Sequence, residues 1–442
     1  MSEHRPTPRA LAVPGTRIAR LARFGSMASG MAGSMALNGA RQWAGGGRPR
    51  WRDLLLTPAN AARMADELAR MRGAAMKVGQ LISMDAGEVL PPELADVFAR
   101  LRAEAHFMPP KQLKPLLIRE WGADWQKRFR KFDVRPIAAA SIGQVHRAET
   151  RDGRDLAVKI QYPGVRRSID SDVANVASII RLSGMIPKGF DMAPLLDEAR
   201  AQLHEEADYD REGRYLSRFA TLLADSPEFL VPGRHPDLTT ENILAMTYAP
   251  GDPLESLANS PQDLRDHVAT LLFKLLLREL FEFHLMQTDP NFANYRYDPT
   301  TARIVLLDFG ASRDFAPASI RMFRAMLLAG SKGDRHALQD AACDLGYLNQ
   351  TMPAARLETL LDMLMMATSP MRQSGLFDFA ASDLAAQLHQ AGLELGMDST
   401  HWTVPEIDAL FVQRKVAGLY LLARRIGARV PMAELIAPYL AD

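Results

Sequence analysis

Leu306-Leu307-Asp308-Phe309-Gly310 is the stretch of this 442-residue chain that decides its fold. The apolar residues 304–307 predict a buried strand, and Asp308 follows directly where that strand ends. Gly310 lacks a Cβ and is expected to let the chain turn sharply after the strand. The sequence therefore predicts a carboxylate presented at the end of a buried strand, within reach of a ligand.

A second group of polar residues lies shortly upstream. In Gln287-Thr288-Asp289-Pro290-Asn291-Phe292-Ala293-Asn294, the residues Asp289 and Asn294 are five apart, and Asn294 precedes Asp308 by fourteen. This is the spacing of the protein-kinase catalytic loop, where the aspartate orients the attacking hydroxyl and the asparagine holds magnesium. Because Mg²⁺ prefers oxygen donors, Asn294 and Asp308 are predicted metal ligands, and Asp289 is a predicted catalytic residue.

A candidate phosphate-binding strand precedes both groups. Residues 142–148 and 155–161 are predicted strands, and Arg151-Asp152-Gly153-Arg154 between them contains the Asp-Gly pair of a hairpin turn. Lys159 is a charged residue in the otherwise apolar second strand. The lysine that pairs with phosphates in protein kinases has the same setting, so Lys159 is a candidate for that role.

An alanine-rich segment stands where a kinase has its glycine loop. Ala138-Ala139-Ala140-Ser141-Ile142-Gly143-Gln144-Val145 matches Gly-x-Gly-x-x-Gly-x-Val, except that Ala138 and Ala140 replace two glycines. Each alanine adds a Cβ where backbone N–H groups would approach phosphate. We therefore expect a stiffer loop with a different nucleotide geometry.

Composition narrows the class of protein. With 47% hydrophobic and 24% charged residues, the chain can bury a large core, which excludes a disordered or collagen-like protein. Its single cysteine, Cys343, excludes a disulfide framework and a cysteine-based zinc site. The net charge is +1, but residues 1–50 hold eight arginines and one glutamate, so the remainder is acidic. A nucleic-acid-binding domain of the basic type is not expected.

Periodicity and turn residues divide the chain into four predicted segments. Residues 1–50 form a basic leader, for which both a membrane-associated helix followed by a linker and a flexible segment are open. Residues 51–131 form a helical extension, residues 132–250 a small lobe with the β-strands, and residues 251–442 a larger helical lobe. The expected fold class is α+β, a protein-kinase-like two-lobed fold with an N-terminal helical extension, mostly α outside the small lobe.

Six motifs of the chain occur in one order. They are Lys77-Val78-Gly79-Gln80, the alanine segment continued to His146, Val158-Lys159-Ile160-Gln161-Tyr162-Pro163-Gly164-Val165, Glu206-Ala207-Asp208-Tyr209, Gln287-Thr288-Asp289-Pro290-Asn291 and Leu307-Asp308-Phe309-Gly310. Together these motifs resemble those of the UbiB/AarF family of atypical kinases. The resemblance implies a protein-kinase-like fold with an inserted helical extension, ATPase rather than ordinary protein-kinase activity, and a role in ubiquinone biosynthesis at a membrane.

The resemblance also implies roles for residues outside the catalytic loop. Lys77 and Gln80 are expected to reach into the acceptor side of the site. The acidic residues 205–212 are predicted on one helix, with Glu212 as the first choice to pair with the strand lysine, although the sequence does not decide between Glu206 and Glu212. The predicted catalytic residues are Asp289, Lys159, Lys77 and Gln80; those that contact nucleotide are Ala138, Ala139, Ala140, Ser141, Gly143, Val145, Lys159, Glu206, Asp208 and Glu212; the metal ligands are Asn294 and Asp308.

Two departures from protein kinases bear on activity. No His-Arg pair precedes Asp289, and a helix predicted to start within residues 316–319 leaves no room for a long activation segment. A peptide substrate would then lack its platform. We expect a Mg²⁺-dependent enzyme that binds ATP and ADP and acts mainly as an ATPase tied to prenylated quinone or lipid metabolism.

Three alternatives remain open at this point: a small-molecule phosphotransferase, a protein phosphotransferase, and a pseudokinase that binds isoprenoid lipid as a chaperone. The expected partners are nucleotide, an isoprenoid quinone precursor or an anionic lipid membrane, enzymes of quinone biosynthesis and a second copy in a homodimer, but no nucleic acid. The expected location is cytoplasmic, at the periphery of the inner membrane.

Overall fold

The computed structural model describes residues 107–182, 192–349, 351–396 and 405–440, together with Ala74 and Val78. The predicted leader lies outside the described residues, as do Lys77 and Gln80 of the extension. What the sequence predicts for them stays a prediction. Val78, which stands inside the same motif, is a buried helical residue.

The described chain divides into two compact units. The first contains the residues up to Arg211 together with Arg234–Tyr248, and the second contains Glu212–Gly233 and the chain from Ala249 onward. Each unit contains both helices and strands. The segment boundaries given by the sequence stay predictions.

Short strands and longer helices alternate through the described residues. The strands are β1 (Phe129–Phe132), β2 (Ala138–Ala139), β3 (Gly143–Thr150), β4 (Asp155–Gln161), β5 (Phe229–Leu230), β6 (Ile243–Thr247), β7 (Asp252–Pro253), β8 (Leu285–Gln287), β9 (Tyr295–Asp298), β10 (Arg303–Leu306), β11 (Ser312–Asp314), β12 (Phe377–Asp378) and β13 (Arg429–Val430). The helices are α1 (Pro110–Trp121), α2 (Val165–Leu182), α3 (Ala193–Glu206), α4 (Tyr209–Leu222), α5 (Gln262–Phe281), α6 (Pro317–Lys332), α7 (Arg335–Asp344), α8 (Ala354–Ala367), α9 (Leu384–Gly396), α10 (Ile407–Ile426) and α11 (Met432–Ile436). Within this described part, no helix combines the length and the apolar character needed to cross a membrane.

An antiparallel sheet forms the centre of the first unit. Its strand order is β1-β3-β4-β6, and β2 pairs with the start of β3. The β3–β4 hairpin turns at Gly153, whose φ of +90° lies in the left-handed region that favours glycine. The predicted hairpin is therefore confirmed.

Residues 129–131 are not helical, so this part of the predicted helical extension is wrong. They belong to β1, the edge strand that pairs with β3. Phe129 and Phe132 pack with Trp121 and Trp125, with ring centroids between 5.1 and 6.3 Å apart. Burying these four rings against the sheet outweighs the weak helical periodicity of the segment.

A buried hydrogen-bond chain fixes the start of β3. His146 Nδ1 donates to Asp133 O at 2.7 Å, and His146 Nε2 accepts from Gln144 Nε2 at 2.8 Å. Gln144 Oε1 in turn accepts from Met108 N–H at 2.7 Å. These partners suit the neutral imidazole with its proton on Nδ1. Burial lowers the pKa of His146 from 6.5 to about 4, although Asp133 acts to raise it.

Small sheets and long helices make up the second unit. One sheet has the order β5-β10-β9-β7, while β8 pairs with β11 and β12 with β13. The predicted strand at residues 304–307 is confirmed in β10, and the predicted start of a helix within residues 316–319 is confirmed in α6. The other strands here are two to four residues long, too short for an alternating pattern to reveal them.

The first unit should lose stability as the pH falls. Because the folded-state pKa of His146 lies below the unfolded value, only the unfolded chain binds this proton between pH 6.5 and about 4. The stabilisation is complete above pH 6.5 and should decrease by about 3 kcal/mol as the pH falls to about 4. Urea unfolding followed by tryptophan fluorescence at several pH values measures this loss.

His146→Gln is the test variant and His336→Gln is its control, since the side chain of His336 is 88% exposed. The first variant should flatten the pH dependence between 6.5 and 4, and the second should retain it. A wild-type slope in His146→Gln would contradict the assignment.

Candidate functional site

A strand ladder in the second unit brings the two predicted metal ligands together. β9 pairs antiparallel with β10, so that Tyr295 lies opposite Leu306. One step further, Leu307 N–H donates to Asn294 O at 3.0 Å. This register places Asn294 beside the end of β10, from which Asp308 follows.

A second ladder brings Asp289 to the same place. β8 pairs antiparallel with β11, so that Gln287 lies opposite Ser312. Thr288 then donates to Ala311 O through both its N–H, at 3.1 Å, and its Oγ1, at 2.7 Å. The next residue, Asp289, is thus held close to the chain that follows β10.

Gly310 is constrained by space and not by its backbone angles. The predicted turn is confirmed, since Gly310 lies in a turn closed by Ser312 N–H, which donates to Phe309 O at 3.1 Å, although the glycine does not adopt a positive φ. Its N–H donates to Asp308 Oδ1 at 2.9 Å. A Cβ at this position would lie 3.3 Å from that same oxygen and 3.5 Å from Glu212 Oε2. A side chain at residue 310 would therefore crowd two carboxylates.

Asp289 is held by a residue that the sequence analysis did not find. Its Oδ1 accepts from Arg414 Nη2 at 3.0 Å and, more weakly, from Asn291 N–H at 3.4 Å. Asn294 Nδ2 points to Asp289 O at 3.4 Å. Arg414 stands 125 residues further along the chain, on α10, so no local spacing could reveal it. The one available signal was the pair of adjacent cations Arg414 and Lys415 within the mostly apolar residues 409–423 of this helix.

The residue after Arg414 is a fully buried lysine. Lys415 Nζ donates to Gln287 O at 2.6 Å, to Gln287 Oε1 at 3.2 Å and to Tyr295 OH at 2.5 Å, and Glu279 Oε2 lies 3.4 Å away. Burial opposes the charge of Lys415, but Glu279 and Tyr295 raise its pKa above the ordinary value, so it remains an ammonium. Burial also raises the pKa of Tyr295.

Helix α4 packs on, and hydrogen-bonds to, the chain on either side of Gly310. Phe219 packs on Phe309 with ring centroids 4.9 Å apart. Arg218 donates to both carboxylate oxygens of Asp314 at 2.6 and 3.0 Å, and Tyr215 OH donates to the same group at 2.9 Å. Within the second unit, the position of α4 is thereby linked to the segment that carries Asp308.

Lys159 and Glu212 lie in different units. Lys159 is 7% exposed on β4, opposite Val145 and Leu244, with its ammonium 5.3 Å from the ring centroid of Tyr209. Glu212 is 1% exposed in α4. Their pairing stays a prediction, as does the choice between Glu206 and Glu212.

The acidic stretch does not form one helix, contrary to the sequence prediction. Helix α3 ends at Glu206, and α4 starts only after Asp208. Asp208 Oδ1 accepts from Arg211 N–H at 2.9 Å and so caps α4, while Gln161 Nε2 donates to Ala207 O at 2.7 Å. These two hydrogen bonds satisfy backbone groups that a continuous helix would have paired internally.

The alanine-rich segment forms one arm of a tight hairpin. Ala138 and Ala139, in β2, pair with β3 opposite Val145 and Gln144. Ala140 N–H donates to Gly143 O at 2.9 Å, which closes the turn.

Ser141, at the tip of this turn, donates through Oγ to Glu206 Oε2 at 2.9 Å. The turn is thus tied to the end of α3, through two of the residues that were predicted to contact nucleotide.

Packing explains the single glycine retained from the kinase pattern. A Cβ on Gly143 would lie 2.4 Å from Ile160 O and 2.8 Å from Tyr209 OH. Gly143 does not adopt a positive φ. It is therefore required because the neighbouring strand and Tyr209 leave no room for a side chain.

Comparison with known proteins decides the family. A family model described as the ABC1 atypical kinase-like domain matches residues 100–342. The mitochondrial atypical kinase COQ8 of Saccharomyces cerevisiae is 37% identical over 435 residues, which cover 98% of this chain and 86% of that protein. The chain belongs to the ABC1 family of atypical kinases. The mitochondrial atypical kinase COQ8B of Rattus norvegicus is also 37% identical, over 96% of this chain and 80% of its own length.

Membership of the ABC1 family confirms the resemblance to UbiB/AarF proteins and the expected kinase-like α+β fold. It also makes the chain an enzyme of the atypical kinase class. A solved structure of Rv3197 from Mycobacterium tuberculosis, in complex with erythromycin, has a similar fold. It covers 87% of this chain and 97% of its own, with a TM-score of 0.59 and 24% sequence identity.

Replacing Gly143 should destabilise the first unit. We expect Gly143→Ala to lower the free energy of unfolding by about 1–3 kcal/mol, because the added methyl must displace a backbone carbonyl of β4. Differential scanning calorimetry measures the change.

Gly392→Ala is the matched control, since the nearest atom to its new Cβ would be Met363 Cε at 4.0 Å and the site is helical. This control should be neutral or stabilising by up to about 1 kcal/mol. Equal melting of Gly143→Ala and the wild type would contradict the packing explanation.

Proposed function

We propose that this atypical kinase binds ATP with Mg²⁺ and works mainly as an ATPase that supports the biosynthesis of ubiquinone at a membrane. The observation that carries the proposal is the short chain after Gly310. Residues 311–316 alone separate Gly310 from α6, and three of them form β11. A kinase that phosphorylates peptides needs a longer segment there to hold its substrate. The short segment therefore argues against a peptide as the phosphoryl acceptor, and we propose water as the acceptor.

The donor chemistry at the end of β10 fits magnesium. Asp308 offers a carboxylate and Asn294 a carboxamide oxygen, and both side chains are partly exposed. Asn294 directs its Nδ2 toward Asp289 O, which leaves Oδ1 without a donor among the described residues. Mg²⁺ is commonly held by one or two such oxygens together with phosphates, whose charge it neutralises. Asp308 and Asn294 would hold the ion.

No group of three or more His, Cys, Asp or Glu side chains within the described ranges is arranged as a metal site. The small donor set of Asp308 and Asn294 would therefore depend on the nucleotide to complete the coordination of the ion. We propose that metal and nucleotide bind together.

The remaining roles follow from the chemistry of the side chains. Asp289 would orient the attacking water through its carboxylate, and Lys159 would contact the phosphates as a point charge. Ser141 and the alanine turn would form the side of the nucleotide site that faces the phosphates. Glu212 would hold Lys159 in place by charge, which is the pairing predicted from the sequence.

The place in ubiquinone biosynthesis rests on family membership and not on the site. The COQ8 relatives are named as mitochondrial, and UbiB/AarF proteins are expected to support quinone synthesis at a membrane. We propose peripheral attachment at the inner membrane. The eight arginines of residues 1–50 would attract anionic lipid by about 1 kcal/mol each when close to the surface.

A small-molecule kinase is the second candidate, because the short segment after Gly310 would suit it equally well. Release of inorganic phosphate from ATP without any added acceptor distinguishes the two. Phosphate release favours the ATPase, and ATP consumption only after a phenolic or lipid acceptor is added favours the small-molecule kinase.

Nucleotide binding should require both magnesium and Asp308. In a thermal-shift titration of the full chain, Mg-ADP at about a hundred times its Kd should stabilise the wild type by about 2.7 kcal/mol. Asp308→Asn should lose most of this gain, because the ion would lose its charged ligand.

Asp334→Asn is the control, since Asp334 caps α7 and asparagine caps helices equally well. It should respond to Mg-ADP as the wild type does. Full stabilisation of Asp308→Asn by Mg-ADP would overturn the metal assignment.

The biological role has a separate test. In a strain that lacks this gene, the wild type should restore ubiquinone levels measured by quinone profiling, and Asp308→Asn should leave them at the deletion level. Asp334→Asn should restore them fully. Equal restoration by Asp308→Asn would show that quinone synthesis does not depend on the metal-binding site.

A further inference from the structure

Helix α10 forms the support of the catalytic loop, although it stands more than a hundred residues later in the chain. Three of its residues contact the loop. Arg414 Nη2 lies 3.0 Å from Asp289 Oδ1, and Lys415 Nζ lies 2.6 Å from Gln287 O. The third is Gly418, described next. Because a helix is stiff, these contacts hold the loop to one rigid element.

The contact at Gly418 is close. A Cβ there would lie 2.2 Å from Pro290 Cβ, so the absence of a side chain lets the helix approach the residue that follows Asp289. The loop is therefore held on both sides of the aspartate, by a hydrogen bond to Gln287 and by packing on Pro290. What remains adjustable is the rotation of the Asp289 side chain itself.

The two carboxylate oxygens of Asp289 have different surroundings. Oδ1 accepts from Arg414 and from Asn291 N–H, whereas no described residue donates to Oδ2. The Arg414 side chain is 6% exposed and that of Asp289 is 20% exposed. The guanidinium thus binds Oδ1, which leaves Oδ2 available for a hydrogen bond from a nucleophile.

We propose that Arg414 is a positioning residue of this enzyme: it fixes the rotamer of Asp289 so that Oδ2 faces the attacking hydroxyl or water. The expected effect on ATP hydrolysis rests on the proposed function, whereas the expected effect on the rotamer of Asp289 does not. Arginine suits the task because its planar fork is rigid and loses little freedom on binding, unlike the flexible ammonium of lysine. Arg414 itself touches neither substrate nor nucleotide in this role.

The kinetic test uses ATP hydrolysis by the full-length protein. Arg414→Met should lower kcat by about tenfold to a hundredfold, the loss typical of a displaced catalytic group, while KM for ATP changes less than about twofold. Arg414→Lys should recover part of the loss. In an Asp289→Asn background, Arg414→Met should have no further effect on the residual rate, because Arg414 acts through the carboxylate that is already absent.

Arg429→Met is the matched control, since Arg429 pairs with Asp266 at 2.9 Å in the same unit and contacts no residue of the catalytic loop. It should retain the wild-type kcat. A loss in Arg414→Met that is undiminished in the Asp289→Asn background would overturn the proposal, since it would show a general structural effect.

A crystal structure of Arg414→Met separates this inference from the proposed function. Asp289 should rotate away from the orientation seen in wild-type crystals. If the methionine variant does not fold, a crystal structure of Arg414→Lys takes its place, and Asp289 should then adopt an intermediate orientation. If Asp289 keeps its wild-type rotamer in the variant, the proposal is wrong even when the protein hydrolyses ATP. If the wild type hydrolyses no ATP, the proposed function fails, and rotation of Asp289 in the variant still supports the positioning role.

Discussion

The chain that carries Asp289 in the second unit depends on one buried ammonium. Lys415 is 1% exposed, and its three hydrogen-bond acceptors come from Gln287 and Tyr295. Removing such a charge from water costs several kcal/mol even after relaxation, and the nearby carboxylate of Glu279 offsets part of that cost. Loss of either partner would leave the other charge buried alone. The cluster is therefore stable in few arrangements, so the positions of its side chains are closely fixed.

The strands that contact Lys415 also pair with the strands on either side of Asp308. Gln287 ends β8 and Tyr295 starts β9, so the loop that contains Asp289 and Asn294 runs between two residues held by the same ammonium. From there β8 pairs with β11 and β9 pairs with β10, on either side of the Asp308 segment. The loop with Asp289 and the strand end with Asp308 are thus both positioned by contacts to the same buried lysine and to the strands that it holds.

Local motifs were predictable from the sequence, and contacts between distant segments were not. Asp289, Asn294 and Asp308 lie next to two short strand pairs, β8–β11 and β9–β10, so their spacing along the sequence could indicate that they lie close together. The β3–β4 hairpin likewise follows from one Asp-Gly turn. The partner of Asp289 comes from a helix 125 residues later, and the helix break at Asp208 depends on a capping bond that residue types permit but do not require. Edge strand β1 was missed for a similar reason, since it is fixed by pairing with β3, which the local pattern does not contain.

The alanine turn shows why a motif match is not a physical explanation. In a glycine loop the absence of side chains gives backbone N–H groups access to phosphate. Here the retained glycine, Gly143, faces Ile160 O and Tyr209 OH, so it is fixed by packing within the first unit. The positions that would need freedom, Ala138 and Ala140, carry methyl groups and lie in a closed hairpin tied to Glu206 through Ser141. A turn held in this way has little freedom to change its shape, so the flexibility that a glycine loop offers is not available at these positions.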